Sequence, residues 1–274
     1  MPYRDGTDPD HARTRNKLVW GLAALAVAVA GAFALRHAHG PPHAQVATQQ
    51  MGAGSSSIHD PQASPAKFGG EAPTPDARLL ANWVVGTHDN GQHAFILVDK
   101  KDARAYVFRP DGQLQDSAPV LLGAAHGDTI APGSGDKPLS QMTQDEKITP
   151  TGRFIAKPGV NADDEDVIWV DYDDAISMHR VRPKVESEHR LERLASLTTD
   201  DNRISFGCIN LPVSFYEDVA KPTVARYGAV IYVLPEQKSL QEVFNAYDVT
   251  DPAQMAAHHA PVHYASGRNE GAAG

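Results

Sequence analysis

Cys208 is the single cysteine of the chain and stands in the run RISFGCINLP. A thiolate is a strong nucleophile, but a free thiol is mostly protonated near neutral pH, so a catalytic cysteine needs a base beside it. Gly207 precedes the thiol. Glycine lets the backbone turn sharply there, and such a turn can aim consecutive N–H groups at the oxyanion of a tetrahedral intermediate. The competing reading is a cysteine packed as a small hydrophobe. Local pattern alone leaves both open.

Candidate bases in the folded region are His88, His93, His126, His179 and His189. His179 ends the strand-like stretch AISMHRV and is close in sequence to the cysteine segment. A lone histidine beside a strand also has an ordinary structural explanation, which the residues by themselves do not remove. With one cysteine, an intramolecular disulfide is excluded, and a redox role lacks its resolving thiol. Ligand spacings for a metal are missing, and no cofactor is expected.

The elements that must position these groups are mostly β. HAFILVD, ARAYVF and APVLLG are strand-patterned and separated by turn signals at 100–103 and at Pro110-Asp111-Gly112, so the domain should open as a meander. Residues 124–150 form a long Gly/Pro/Asp-rich stretch of the kind that is often functional inside a compact domain. GRFIA, VIWVDY, AISMHRV and AVIYVL read as further strands. A helix or ordered excursion is expected over Glu186–Leu197, a helix from Val213 that Pro222 should interrupt or end, and a short helix at SLQEVFNAY. Tyr106, Trp169 and Tyr172 are expected to pack in the core. The sum is one mostly β domain with a few helices over residues 78–247, long enough for a core without disulfides.

Outside that domain the composition changes. Leu18–Leu35 is an uncharged apolar run of 18 residues, which as a helix spans roughly 27 Å, close to the hydrocarbon core of a bilayer. Arg4, Arg13, Arg15 and Lys17 precede it and Arg36 follows, which predicts a cytoplasmic N-terminus over 1–17, a transmembrane anchor or uncleaved signal over 18–36, and an exported remainder. Residues 37–77, rich in Pro, Ala, Ser and Gly, are expected to be a disordered tether. His37, His39, His43 and His59 within it are irregularly spaced and read as incidental. Residues 248–274 are expected to be a disordered tail. A net charge of −9 argues against a nucleic-acid partner.

Three separated segments resemble one family. ILVDKKDARAYVF, ITPTGRF, and His179 followed after a spacer by Ser205-Phe206-Gly207-Cys208-Ile209-Asn210 are similar to the YkuD-type catalytic domain of L,D-transpeptidases, over roughly Phe95–Leu234. The resemblance implies a mixed β-sandwich in which the Cys208 thiolate attacks a peptidoglycan stem tetrapeptide at meso-diaminopimelate and releases the terminal D-Ala. His179 would serve the thiol, and a backbone carbonyl at Arg180 or a neighbour would orient the ring. Gly207 and Cys208 would supply N–H donors to the oxyanion. The acyl group would pass to an amine, giving a crosslink or exchange, or to water.

This chain also departs from the pattern. Arg180 replaces the family's Gly or Ser and is expected at the entrance or on a substrate carboxylate. Phe206 replaces a His or Lys. The spacer is longer and carries Arg180, Arg182, Lys184, Arg190, Arg193 and Arg203, which could draw in anionic peptidoglycan; Glu186, Glu188 and Glu192 offer the alternative of a solvated charged helix. Arg203, Ser205, Phe206 and Asn210 join Arg180 as expected substrate-side residues, with Ser205 and Asn210 also read as supports of the cysteine loop. The expected partners are peptidoglycan stem peptides and the inner membrane, with the domain in the periplasm. The other functional reading is a non-catalytic periplasmic peptidoglycan-binding protein that keeps the fold.

Overall fold

The computed structural model describes residues 65–259. The predicted anchor, most of the predicted tether and the last 15 residues lie outside the described residues. Among the described residues no helix is long and apolar enough to cross a membrane.

Eleven strands are described: β1 Ala94–Asp99, β2 Arg104–Phe108, β3 Leu114–Pro119, β4 Leu122–Gly123, β5 Gly152–Ile155, β6 Lys157–Val160, β7 Asp166–Asp171, β8 Ile176–Arg180, β9 Arg203–Ser205, β10 Ile209–Leu211 and β11 Ala229–Val233. They form a five-stranded sheet ordered β3-β2-β1-β11-β5, a four-stranded sheet ordered β10-β8-β7-β6, and the small pair β4-β9. The opening meander is present, and β11 returns to lie parallel to β1. The domain is mostly β with few helices, as the sequence predicts.

β1 shows why one apolar run can serve two cores. Successive side chains of a strand point to opposite faces. Ala94, Ile96 and Val98 pack with Ile168, Met178, Ile209 and Leu211 of the four-stranded sheet and with Phe215, Tyr216 and Val224. Phe95 and Leu97 face the other way, onto Leu80, Ala81 and Val84 of a helix and onto Leu240 and Phe244. Each such fully buried side chain contributes about 1.5–3 kcal/mol. A strand covered on both faces has no polar side to display, hence the unbroken run FILV.

Two expectations need correction. Part of the predicted tether is folded: Ala66 and Phe68 are buried, and α1 spans Pro75–Thr87. Thr74 caps it by accepting from the Ala77 N–H at 3.1 Å, Pro75 holds the first position, and Leu80, Ala81 and Val84 form its inner face. The Pro/Thr/Asp composition of EAPTPDA is a helix start rather than a tether. The predicted tail begins with a helix, Pro252–His259. The helix from Val213 is interrupted beside Pro222 and not ended by it: Val213–Phe215 leads into a π-type turn at Tyr216–Ala220 and then an α segment at Lys221–Tyr227. The proline falls within the first two positions after the wider turn, where the missing N–H costs little.

The excursion over 181–202 contains a 3-10 turn at Glu186–Glu188 and α2 at Arg190–Ala195. The long loop 124–150 holds three 3-10 turns and is tied down by an Ala125–Ile148 bridge.

Candidate active site

Three segments distant in sequence meet at Cys208. β8 carries Ser177 and His179, two residues apart and therefore on one face. β10 runs parallel beside it, with Asn210 in register with His179. Between β9 and β10 the chain turns at Gly207, where φ is +124°. A Cβ at that position would lie 2.7 Å from the Ile148 carbonyl oxygen and 2.7 Å from Ile176 Cδ1. Both the backbone conformation and the space admit glycine alone.

The turn is fixed by two hydroxyls. Ser205 Oγ donates to the Cys208 carbonyl at 2.6 Å and accepts from the Gly207 N–H at 3.1 Å. Thr149 Oγ1, fully buried, donates to the Gly207 carbonyl at 2.8 Å and accepts from the Gly123 N–H at 2.8 Å. Ser205 thus supports the loop. The Gly207 N–H, expected as an oxyanion donor, is already engaged by Ser205, so Gly207 serves conformation.

The thiol of Cys208 is half-buried, 3.6 Å from Ser177 Oγ and 3.8 Å from the Ala175 carbonyl. Burial pushes it up. Hydrogen bonding with His179 pulls it down, as do the N–H and hydroxyl of Ser177, and the outcome is below the ordinary thiol value. His179 Nδ1 lies 2.8 Å from the Arg180 carbonyl. A carbonyl only accepts, so Nδ1 carries hydrogen and Nε2 is the nitrogen left for base chemistry. The carbonyl expected at Arg180 is where the resemblance puts it. Asn210 Nδ2 sits 3.2 Å from Nε2.

The other histidines are elsewhere. His88 and His189 occupy left-handed positions at helix ends, His93 faces the Tyr227 carbonyl, and His126 faces Glu236. No group of three metal-ligating side chains occurs among the described residues.

Two of the expected substrate-side cations are committed within the protein. Arg180 donates to Asp166 at 2.9 and 3.1 Å and to Glu217 at 2.7 Å, and lies over the Tyr216 ring. The Arg180 hydrogen bond, helped by Lys221 and Tyr216 against the effect of burial, holds the Asp166 carboxyl down to about 2. Arg203 is buried, paired with Glu236 and donating to the Lys100 carbonyl at 2.8 Å. Both guanidinium charges are thus paired with carboxylates of the protein, while Arg203 Nη1 is buried without a hydrogen-bond partner. Phe206 lies beneath Lys147, whose Nζ is 4.4 Å from the ring centroid. Trp169 is half-buried and Tyr172 is 59% exposed, packed edge-on at 5.1 Å; of the three aromatics assigned to the core, Tyr106 is the one fully inside.

A charge cluster lies beneath the site, and sequence reading passed over it. The fully buried Lys100 donates to Asp128 at 3.1 Å and to the Thr149 carbonyl at 3.1 Å. Asp128 in turn accepts from Thr151 at 2.9 Å and from the N–H groups of Glu236, Gln237 and Lys238 at 2.7, 3.0 and 2.8 Å. The ITPTG segment therefore connects this cluster to the cysteine turn. Its only sequence signal was the resemblance. An apolar groove of 710 Å³ between α2 and Val213, lined by Val181, Leu191 and Leu194, includes neither Cys208 nor His179.

No family model matches this chain, and neither does any curated protein. Solved structures do. The catalytic domain of an L,D-transpeptidase from E. faecium is similar at 17% identity and a TM-score of 0.30, over 52% of this chain and 98% of that one. The helical cell shape determining protein Pgp2 from Campylobacter jejuni gives 17% and 0.34, over 54% of this chain and 49% of that one. An L,D-transpeptidase from Mycobacterium smegmatis gives 17% and 0.30, over 52% and 58%. This chain thus spans about half the length of the latter two. Likeness at this level says nothing of chemistry, which rests on the side chains described above.

Proposed function

We propose that the protein is a cysteine acyltransferase of the L,D-transpeptidase type, acting on peptidoglycan stem peptides from a membrane-anchored, periplasmic position. The observation that carries the reading is the geometry of the dyad: the Cys208 sulfur lies 3.6 Å from Ser177 Oγ on the strand that also carries His179, and one nitrogen of that imidazole is pinned to the Arg180 carbonyl. An inert packed cysteine has no need of such an arrangement. The motif spacing around Ser205-Phe206-Gly207-Cys208 and ITPTG supplies the substrate class.

In this reading His179 Nε2 takes the proton of Cys208, and the thiolate attacks the carbonyl of the amide joining meso-diaminopimelate to D-Ala. The sulfur–carbon bond forms as the carbonyl π pair moves to oxygen. With Gly207 N–H engaged by Ser205, the Cys208 N–H is the donor within the turn for that oxyanion. Collapse expels the D-Ala amine, which receives the proton from His179, and leaves a thioester on Cys208. An amine or water then attacks the thioester and restores the thiol. The anchor and the export of the domain rest on the Leu18–Leu35 run and its flanking charges.

Intact-mass analysis of the protein with a disaccharide-tetrapeptide, wild type against Cys208→Ala, tests this. Wild type should gain the acyl mass or convert the peptide, and the variant should do neither. Absence of both adduct and product with wild type would sink the proposal.

A further inference from the structure

The excursion between β8 and β9 reaches the dyad through one side chain. Arg190, the first residue of α2, is mostly buried, with its side chain 12% exposed. Its Nη1 donates to Asn210 Oδ1 at 2.5 Å and its Nε to Glu188 Oε2 at 2.5 Å. A guanidinium has donors and no acceptor, so the Asn210 amide must turn its oxygen to Arg190. Its NH2 group then faces His179 Nε2 at 3.2 Å, and that group also only donates. The hydrogen-bond partners alone fix the amide orientation.

We propose that Arg190 is a positioning residue for the dyad: through Asn210 it keeps His179 Nε2 as the lone-pair nitrogen, the form that accepts a proton from Cys208. The proposal deepens the acyltransferase reading and rests on it for the roles of thiol and base. Arg180 carbonyl and Asn210 hold the ring from its two nitrogens. An imidazolium would set its Nε2–H against the amide N–H groups. With the Arg190 donor gone, the amide is free to rotate by half a turn and offer its oxygen to a protonated Nε2. The dyad would then rest as imidazolium and thiolate.

The charged and titratable groups around His179 are Cys208 on the adjoining turn and, behind Asn210, Arg190 with Glu188. Arg180's side chain is occupied with Asp166 and Glu217, and Lys221 with Asp166. The Lys100–Asp128–Glu236–Arg203 cluster meets the cysteine turn through Thr149. Removing Arg190 alone would leave Glu188 unbalanced. The double variant Glu188→Gln/Arg190→Met removes both opposite charges and isolates the amide orientation.

The test is the pH dependence of Cys208 alkylation by iodoacetamide in the full chain. In the double variant the midpoint should fall by about one pH unit, a tenfold shift in the ionisation equilibrium for one hydrogen bond gained by a charged ring. A midpoint unchanged or higher overturns the proposal. The 15N spectrum of wild-type His179 decides it even if the variant does not fold: a pyrrole-like Nδ1 with a pyridine-like Nε2 is expected in the resting protein, and a doubly protonated ring overturns it. Alkylation needs no peptide, so its outcome is separate from that of the tetrapeptide experiment.

Discussion

The hydroxyl of Thr149 donates to the carbonyl of Gly207 at 2.8 Å, so the segment before β5 holds the turn that carries Cys208. The same oxygen accepts from Gly123, which makes it the joint of β4, the long loop and the cysteine turn. Both bonds are buried.

Thr149→Val keeps the shape and removes both bonds. It should destabilise the fold by about 1–3 kcal/mol through an unsatisfied carbonyl and N–H. The alkylation rate of Cys208 should also fall, because the turn loses its anchor. Urea unfolding with parallel alkylation measures both; unchanged values for the two would mean that Thr149 merely fills space.

The dyad has a pH signature with a definite sign. Burial raises the Cys208 thiol and His179 with Ser177 lower it further than that, so thiolate should appear below the ordinary cysteine range. His179→Gln leaves the burial and removes the largest opposing influence. Its alkylation midpoint should rise above that of wild type, and the rate at neutral pH should drop about tenfold for each unit of rise. Ser177→Ala, which retains the backbone N–H, should shift the midpoint in the same direction by less. Equal midpoints in wild type and His179→Gln would dissolve the dyad.

How much of this was legible in the sequence depends on whether the signal is local. Cys208, Gly207, His179 and the strands that carry them stand out because thiol, turn and apolar alternation are each written in a few adjacent residues. Ser177 and Thr149 were not read as site residues, since a lone Ser or Thr in a strand or loop has no local mark; only register and folding bring them to the sulfur and the turn. The ion pairs of Arg180 and Arg203 were hidden for the same reason: Asp166, Glu217 and Glu236, with which they pair, lie 14 to 37 residues away in sequence. α1 was hidden because Thr74 and Pro75 look like tether until the inner face Leu80-Ala81-Val84 is seen to have a sheet to cover.

Gly207→Ala asks a side chain to occupy space already held by the Ile148 carbonyl and Ile176 at a φ of +124°. Strain at such a position costs about 1–3 kcal/mol. The turn should relieve it by moving, displacing the thiol from His179. Turnover should therefore fall far more than stability, by about a hundredfold for a misplacement on the order of 1 Å. A variant whose urea midpoint falls by no more than that strain while acyl-adduct formation slows about a hundredfold is the expected result, and one that acylates at the wild-type rate would remove Gly207 from the account.

Asp128 sets the behaviour in acid. Burial raises its carboxyl, but the three N–H donors at Glu236, Gln237 and Lys238, with the Thr151 hydroxyl, outweigh that and hold it well below the usual carboxylate range. A carboxyl depressed in the folded state stabilises the protein above its unfolded value of about 3.9, and that contribution is lost as pH falls from there toward the folded value. Stability should hence decline below about pH 5 in wild type. Asp128→Asn should lack that share of the decline. It should also be weaker at neutral pH by about 3–5 kcal/mol, since Lys100 would keep a buried charge without its nearest counter-ion. Urea unfolding over a pH series separates the cases: if the two proteins lose stability in parallel, the acid response lies in other carboxylates and the cluster under Thr149 is not what holds the turn.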